Sequence, residues 1–177
     1  MKTSKVINGI KYQYRLVTKS DIDMVMPVIE SGRETLKAQG NGQWQDGYPS
    51  RFDLLNDIKN KNLYVIYNNK KFVGVLALII GDNDYSNLIR GKWLSNGEFL
   101  VMHRCAILKE YQGIGLGYYL FDIFKEVGLN KNIHSLRIDT HEYNNPMRHL
   151  IERNGFTYCG NVILTGNKER VVYEKLI

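Results

Sequence analysis

The sequence has only two cysteines and no long apolar segment, and each shortage excludes a class of protein. Cys105 and Cys159 are too few for a disulfide framework, so we expect both thiols to be reduced. No window approaches the roughly 20 apolar residues that a membrane-spanning helix needs, and the lysines of residues 1–9 precede no apolar signal segment. The sequence therefore predicts a cytoplasmic protein with no membrane partner.

Prolines and low-complexity tracts are also scarce. The chain has three prolines, and no repeat occurs at the periods typical of solenoids. Its 177 residues, of which 44% are hydrophobic, are enough to bury the core of one ordinary domain. We therefore expect a single folded domain over residues 1–177.

Acidic residues are outnumbered by basic ones, 18 to 24, which gives a net charge of +6. Such a balance favours anionic partners, either nucleic acid or a nucleotide cofactor. The basic residues are scattered and no run of five like charges occurs, as is typical of a solvated surface. We expect no nucleic-acid partner. A nucleic-acid-binding domain, the alternative, would bind with a steep salt dependence.

Hydrophobic periodicity predicts strands interspersed with helices. Strand-like runs occupy residues 10–17, 63–67, 72–80, 98–108, 133–140, 156–164 and 170–176. Helical spacing, with start and stop signals, occupies residues 22–36, 49–58, 116–129 and 146–154. Residues 39–50 form a glycine-punctuated connection, and residues 82–96 are predicted to be a loop. The fold class is α/β.

The motif with the clearest chemistry is Gln112-Gly113-Ile114-Gly115-Leu116-Gly117, between a predicted strand and a predicted helix. The first N–H groups of a helix lack backbone partners and lie at its positive end, so they bind anions. Glycines at 113, 115 and 117 allow positive φ and a close approach of the backbone to phosphate. The motif predicts a ligand that carries a diphosphate; a purely structural turn is the alternative.

Two other nucleotide motifs fit less well. A dinucleotide fingerprint needs a glycine where Tyr118 stands, although Asp139 lies at a suitable distance along the chain and keeps that alternative open. A P-loop needs Gly-Lys-Ser/Thr, which occurs nowhere in the sequence.

The sequence resembles the GNAT superfamily of N-acetyltransferases, whose pyrophosphate loop reads Gln/Arg-x-x-Gly-x-Gly/Ala. The matching positions are Gln112, Gly115 and Gly117, preceded by Cys105-Ala106-Ile107 and Tyr111, and followed by Asn144, Met147 and Gly155-Phe156. The segments 43–49 and 138–141 are similar to uncharacterised bacterial members. The resemblance covers residue 10 to the C-terminus. It implies a central mixed, mostly antiparallel sheet flanked by helices.

The resemblance also implies an activity: transfer of an acetyl group from acetyl-CoA to a primary amine of a small molecule or peptide, by direct attack in a ternary complex and without a metal. An acetyl-CoA-binding module with little transferase activity is the alternative. Residues implied to bind acetyl-CoA are Cys105, Ala106, Ile107, Gln112, Gly113, Ile114, Gly115, Leu116, Gly117, Tyr118 and Asn144. Pairing of two chains through the last strands is left open.

The general base is less well defined. His103, two residues before Cys105 on the same predicted strand face, and Glu98 are the candidates. A hydrogen-bonded structural histidine is the alternative for His103. Val101 stands where other members place a catalytic glutamate, so the base cannot simply be transferred from them.

The usual tyrosine acid is replaced by Ile151, which leaves Tyr143, Tyr158 or water to protonate the thiolate. A free thiol has a pKa near 8.5, so a dedicated acid is dispensable. Trp44 and Tyr48, in the long first connection, are expected to line an acceptor pocket, with core packing as the alternative. His141, at the end of a strand, is a candidate for orienting substrate or for packing in the next turn.

Overall fold

The computed structural model describes residues 4–177. Two units are distinguished within it: residues 4–78 with 104–123, and residues 79–103 with 124–177. The chain passes from one unit to the other three times: within two strands, between Leu78 and Ile79 and between His103 and Arg104, and within a helix, between Ile123 and Phe124.

The first unit begins with an antiparallel arrangement of four strands in the order β1-β2-β3-β4. Their bounds are β1 Lys5–Ile7, β2 Ile10–Leu16, β3 Leu63–Asn68 and β4 Lys71–Ile80, the last two residues of β4 belonging to the second unit. Helices α1 (Ile22–Ala38) and α2 (Arg51–Lys59) lie between β2 and β3 in the chain. The unit also holds the end of β6 (Leu100–Ile107) and the start of α3 (Leu116–Asn130).

Local signals explain why α1 and α2 start where they do. The Thr18 N–H and hydroxyl donate to Asp21, and those of Ser50 donate to Asp53, so each helical segment begins at a carboxylate that closes its first turn. Apolar residues of α1 at helical spacing then pack into a core with α2, β3 and β4. That core is formed chiefly by Val17, Ile22, Val25, Val28, Ile29, Trp44, Leu54, Leu63, Val65, Phe72, Val75, Ala77 and Ala106.

The second unit has the strand order β6-β7-β9-β8-β5. The pair β6–β7 is parallel, through Leu100 with Leu136 and Val101 with Arg137, whereas the other neighbours are antiparallel. The bounds are β5 Leu88–Gly91, β7 Ser135–Thr140, β8 Thr157–Leu164 and β9 Lys168–Leu176, with helix α4 at Asn145–Arg153.

The predicted fold class is confirmed: the strands are mostly antiparallel and helices connect them. Two strands were not predicted. β1 is three residues long, and β5 lies in residues 82–96, which were expected to be a loop and also contain a 3₁₀ turn at Asn83–Ser86. The sequence pattern does not indicate β5 because the strand is short and ends at Gly91, which has φ +91°. Gly91 lies so close to Gly160 of β8 that neither position has room for a Cβ, and glycine is not typical of a strand. Over residues 4–177, no helix has the length and apolarity to cross a bilayer.

Candidate active site

The glycine loop (residues 112–118) joins the 3₁₀ turn Lys109–Tyr111 to helix α3. Gly113 and Gly115 have φ of +77° and +105°, the left-handed conformation that L-residues with a Cβ rarely adopt. Gly117 already belongs to the first turn of α3 and does not use the positive φ that glycine allows. A residue in helical conformation does not need glycine for its φ.

The donors that this loop offers are main-chain N–H groups at the positive end of α3. The Leu116 side chain is buried and anchors the first turn, whereas Tyr118 is exposed and its N–H donates to the carbonyl of Gly115 at 3.2 Å. A Cβ added at Gly113 would meet nothing within 4 Å, so open space borders the backbone there. Neutral N–H donors at a helix start, beside open space, are the donor set that a phosphate ester prefers.

Gln112 holds the loop by its side chain. Its amide Nε2 donates to the carbonyl of Ile107 at 3.0 Å and to Thr35 Oγ1 at 3.1 Å. One turn earlier on α1, Ser31 Oγ accepts the N–H of Lys109 at 2.9 Å. Helix α1 therefore fixes the segment at two points. Sequence reasoning missed Ser31 and Thr35, although their spacing of four residues places both on one face of a helix.

The last residues of β6 precede the loop and depart from a regular strand. Arg104 has φ +50°, and its guanidinium lies 2.9 Å from the buried carboxylate of Asp57 and 5.4 Å from the ring centroid of Tyr48. A left-handed residue interrupts the alternation of side chains along a strand. The prediction that His103 and Cys105 share a face assumed regular alternation, and that assumption fails at Arg104.

Trp44, expected in an acceptor pocket, is almost completely covered in the core of the first unit. A Cβ at Gly32 of α1 would meet the Trp44 ring at 2.9 Å and the Ala106 Cβ at 2.8 Å, so the glycine permits this packing. Tyr48 is half-buried against the same core. Core packing thus accounts for Trp44, and the acceptor role of both aromatics stays a prediction. Cys105 and Ile107 are also half-buried.

The second unit contains a group of polar side chains that we call the His103 cluster: Asp82, Tyr85, His103, Asp139 and Arg170. His103 Nε2 lies 2.8 Å from Asp82 Oδ2, and its Nδ1 lies 3.8 Å from Asp139 Oδ1. The same Asp139 oxygen accepts the Tyr85 hydroxyl at 2.8 Å, and Arg170 Nε lies 3.9 Å from Asp139 Oδ2. Three separate segments thus meet around one imidazole.

Tyr85 anchors this cluster. Its ring is fully buried and stacks on Trp93 and Phe99, with the edge-to-face contact to His103 at 6.2 Å between centroids. Burial, and then the negative charge of Asp139, raise the pKa of the Tyr85 phenol well above its ordinary value. The phenol therefore stays neutral and donates a hydrogen bond to Asp139.

A model of the GNAT acetyltransferase family matches residues 29–156, which include the glycine loop and both candidate bases and end just before β8. The chain belongs to the GNAT acetyltransferase family. Members of this family use acetyl-CoA, and the main-chain donors of the glycine loop fit the pyrophosphate of that cosubstrate.

Solved structures agree with this family. A GNAT acetyltransferase from Streptococcus agalactiae is 34% identical, with 97% of both chains covered and a TM-score of 0.84. A GNAT acetyltransferase from Listeria monocytogenes is 17% identical, with 99% of this chain and 100% of that one covered and a TM-score of 0.79. The PaiA N-acetyltransferase of Thermoplasma acidophilum, solved with coenzyme A, is 18% identical, with coverages of 94% and 99% and a TM-score of 0.69. The last two show the fold alone. Among curated proteins, no match was found.

Two positions at which the resemblance implied a departure from the family pattern lie in the core. Val101, where other members were expected to carry a glutamate, is fully buried and paired with Arg137 of β7. Ile151, in the place of the usual tyrosine acid, is also fully buried. Glu98, the second candidate base, is exposed and precedes β6. Of the predicted catalytic residues, the structure places only His103 among partners that orient it.

The remaining predicted residues of the second unit have structural contacts of their own. Asn144 is the N-cap of α4, where its Oδ1 accepts the Met147 N–H at 3.3 Å, so its proposed contact with acetyl-CoA stays a prediction. His141 Nδ1 accepts the Tyr143 N–H at 3.3 Å. Burial, and then the positive charge of Arg170, lower the pKa of His141. His141 is therefore favoured as a neutral imidazole that carries its proton on Nε2.

The two candidate acids differ in environment. Tyr143 is 75% exposed, whereas the Tyr158 hydroxyl donates to Asn161 Oδ1 at 2.5 Å.

Over residues 4–177, no group of three His, Cys, Asp or Glu side chains is placed to hold a metal ion.

Proposed function

We propose that the protein is an N-acetyltransferase that moves the acetyl group of acetyl-CoA to a primary amine of a small molecule or peptide. The glycine loop carries this proposal, because its two left-handed glycines and the start of α3 present main-chain donors that match a pyrophosphate. The likeness in fold to the PaiA N-acetyltransferase, which was solved with coenzyme A, supports an amine as the acceptor.

In this proposal, acetyl-CoA supplies the thioester carbonyl that the amine attacks directly. Residues 112–118 bind the pyrophosphate, and Gln112 keeps the loop in its binding conformation through Ile107 and Thr35. The N–H groups of Cys105 and Ile107, after the break in regularity at Arg104, serve the pantetheine arm and the developing oxyanion. These are main-chain roles, so the identities of the side chains matter little.

We assign the general base to His103. A primary amine with a pKa near 10 is mostly protonated at pH 7 and must lose a proton before it attacks. His103 is partly exposed, with 17% of its side-chain surface accessible, and a carboxylate holds its Nε2. Glu98 is exposed and precedes β6, and it is the alternative general base to be tested.

The leaving thiolate needs no acid from the usual position. Ile151 has no proton to give and lies in the core. Because a free thiol has a pKa near 8.5, the thiolate is a good leaving group near neutral pH. Water or the exposed Tyr143 then protonates the sulfur. His141 binds the acceptor in this proposal, by a hydrogen bond donated from its Nε2.

Two measurements test the proposal. Acetyl-CoA and CoA should raise the melting temperature, whereas NAD and ATP at equal concentration should not. A panel of polyamines, amino acids and peptides, assayed by release of the CoA thiol, should then identify an acceptor. If acetyl-CoA binds but no amine releases thiol, the acetyl-CoA-binding module is the correct function. If NAD stabilises the fold and acetyl-CoA does not, the acetyltransferase assignment fails.

A further inference from the structure

We propose that Asp82 is a positioning residue that fixes the tautomer of His103, so that Nδ1, and not Nε2, accepts the proton of the acceptor amine. This inference rests on the proposed transferase function. It names the reacting atom and adds a residue, Asp82, that neither the sequence motifs nor the family pattern contains.

The argument begins with the chemistry of the 2.8 Å contact. An ionised carboxylate can only accept hydrogen bonds, so a contact between Asp82 Oδ2 and His103 Nε2 requires that Nε2 carries the hydrogen. In the neutral imidazole, the other nitrogen then has the free lone pair. The base is therefore Nδ1.

Asp82 is itself fixed before it meets the histidine. Its Oδ1 accepts the N–H of Asp84 at 2.9 Å and caps the 3₁₀ turn Asn83–Ser86. The carboxylate of Asp84 in turn accepts from the N–H and hydroxyl of Thr165, at 2.8 and 2.9 Å. The turn is thus tied to the end of β8, and Oδ2 of Asp82 is left facing His103.

The environment of Nδ1 suits a base. Asp139 Oδ1 is 3.8 Å away, too far to share a proton with Nδ1 but near enough to stabilise positive charge on the ring. Tyr85 and Arg170 hold that carboxylate, through a 2.8 Å hydrogen bond and a 3.9 Å ion pair. The ring therefore lies between two carboxylates, one hydrogen-bonded to Nε2 and one beside Nδ1.

The proton step balances within this arrangement. An N–H bond of the acceptor ammonium breaks, a bond forms between Nδ1 and that hydrogen, and the positive charge passes to the imidazolium. The electron pair left on nitrogen attacks the thioester carbonyl to form a tetrahedral intermediate. The C–S bond then breaks to release CoA thiolate, and the second proton on nitrogen passes through water to the thiolate sulfur, which leaves a neutral amide and the CoA thiol. Asp82 stabilises the imidazolium through Nε2–H without accepting its proton, as a buried carboxylate does for other catalytic histidines.

The first test is spectroscopic and needs no substrate. Long-range ¹H–¹⁵N spectra of the imidazoles should show His103 as the Nε2–H tautomer, with the signals assigned by their absence in the His103→Gln protein. In Asp82→Ala the Nδ1–H form should appear in the mixture. A His103 that is Nδ1–H in the wild type, or doubly protonated throughout the pH range of turnover, would overturn the proposal.

The second test is kinetic. Asp82→Asn keeps an oxygen for the cap of the 3₁₀ turn but removes the charge, and kcat should fall roughly 10- to 100-fold, the range for a hydrogen bond to a charged group. Asp84→Asn is the matched control: it removes a charge from the same turn but keeps an oxygen acceptor for Thr165 and the N–H that Asp82 accepts, so it should keep kcat. Asp82→Asn should cost nothing further in a His103→Gln background, because both act through one group.

The two proposals fail differently. If Asp82→Asn behaves like Asp84→Asn in an active enzyme, Asp82 does not position the base, although the acetyltransferase function stands. If the wild type releases no thiol with any amine, the function fails, and the tautomer spectrum still shows whether Asp82 fixes Nε2–H.

Discussion

The glycine loop and the His103 cluster are built in opposite ways. The loop is local in sequence: seven consecutive residues form it, its main-chain donors lie at the start of α3, and its specificity lies in backbone conformation. The cluster is assembled from residues 82–85, 103, 139 and 170, and its properties lie in side-chain charges held by one another. A main-chain site should therefore be sensitive to φ and tolerant of side-chain exchange, whereas a side-chain cluster should respond to the loss of a single functional group.

The largest expected effect breaks the cluster. His103→Gln keeps a polar side chain of similar reach but cannot accept a proton at neutral pH, so kcat should fall about 10²- to 10⁴-fold while acetyl-CoA affinity stays nearly intact. Steady-state kinetics, with calorimetry for acetyl-CoA, measure kcat and the affinity.

Glu98→Gln is the control for the rival base, and it should keep wild-type kcat because Glu98 is exposed and precedes β6. If the Glu98 variant loses kcat and the His103 variant does not, the assignments are exchanged. If both keep wild-type kinetics, the base lies elsewhere, and His141 is the next residue to test.

The contrast between the two regions also explains what sequence could predict. The loop was found because glycine spacing between a strand and a helix is a local pattern with a direct backbone meaning. Asp82 and Tyr85 were missed because they lie in residues 82–96, expected to be a loop, where β5 is short and ends at a glycine crossing. The signal was present: an aspartate two residues before another in Asp82-Asn83-Asp84 is typical of a side-chain-capped turn. That the turn faces His103 depends on tertiary contacts that periodicity does not report.

Arg104 and Trp44 show the same limit. Alternation along a predicted strand was used to place His103 and Cys105, but Arg104 at φ +50° interrupts it. Trp44, also at positive φ (+66°), was predicted to line a pocket because it lies in a long connection. In the structure it packs against Gly32 in the core. Neither departure has a sequence pattern, because non-glycine residues at positive φ depend on contacts such as the Arg104–Asp57 ion pair.

The next effect breaks the loop. Gly115→Val forces a β-branched residue into φ +105°, which costs roughly 1–3 kcal/mol, so acetyl-CoA affinity should fall about 10- to 100-fold as the loop leaves its binding conformation. Isothermal calorimetry with acetyl-CoA and CoA measures this loss. The circular dichroism spectrum should stay native.

Gly166→Val is the matched control, because Gly166 in the β8–β9 turn has a similar positive φ of +83° and only a Lys168 contact near its Cβ. It should cost stability without changing affinity. Unchanged affinity in a folded Gly115 variant would remove the loop from the cosubstrate site.

A smaller effect sharpens the comparison, since it asks whether side chains matter to the main-chain site at all. Thr35→Val removes the acceptor for Gln112 Nε2 but keeps its other bond, to the carbonyl of Ile107. One exposed hydrogen bond is worth about 1 kcal/mol or less, so acetyl-CoA affinity should fall no more than about fivefold, and kcat should not change. Thr165→Val is the control, because Thr165 donates its hydroxyl to Asp84 and does not contact Gln112, and it should leave acetyl-CoA affinity unchanged. A loss as large as that of Gly115→Val would mean that side chains dominate this site too.

The smallest effect concerns His141, whose pKa is lowered by burial and then by the positive charge of Arg170. Because the unfolded chain binds a proton at His141 more readily than the folded chain does, the wild type loses stability as pH falls below the ordinary histidine pKa of about 6.5. The loss is complete once pH is below the folded value, and it is absent above about pH 8. His141→Asn keeps an acceptor for the Tyr143 N–H but does not titrate, so it should lack this loss. The melting temperature of the wild type minus that of the variant should therefore decrease from pH 8 to pH 5, by less than about 2 °C for a chain of this size. Scanning calorimetry in matched ionic strength measures this difference. A difference that grows toward low pH would show that protonated His141 is favoured in the folded state, and would withdraw His141 as a neutral hydrogen-bond donor to the acceptor.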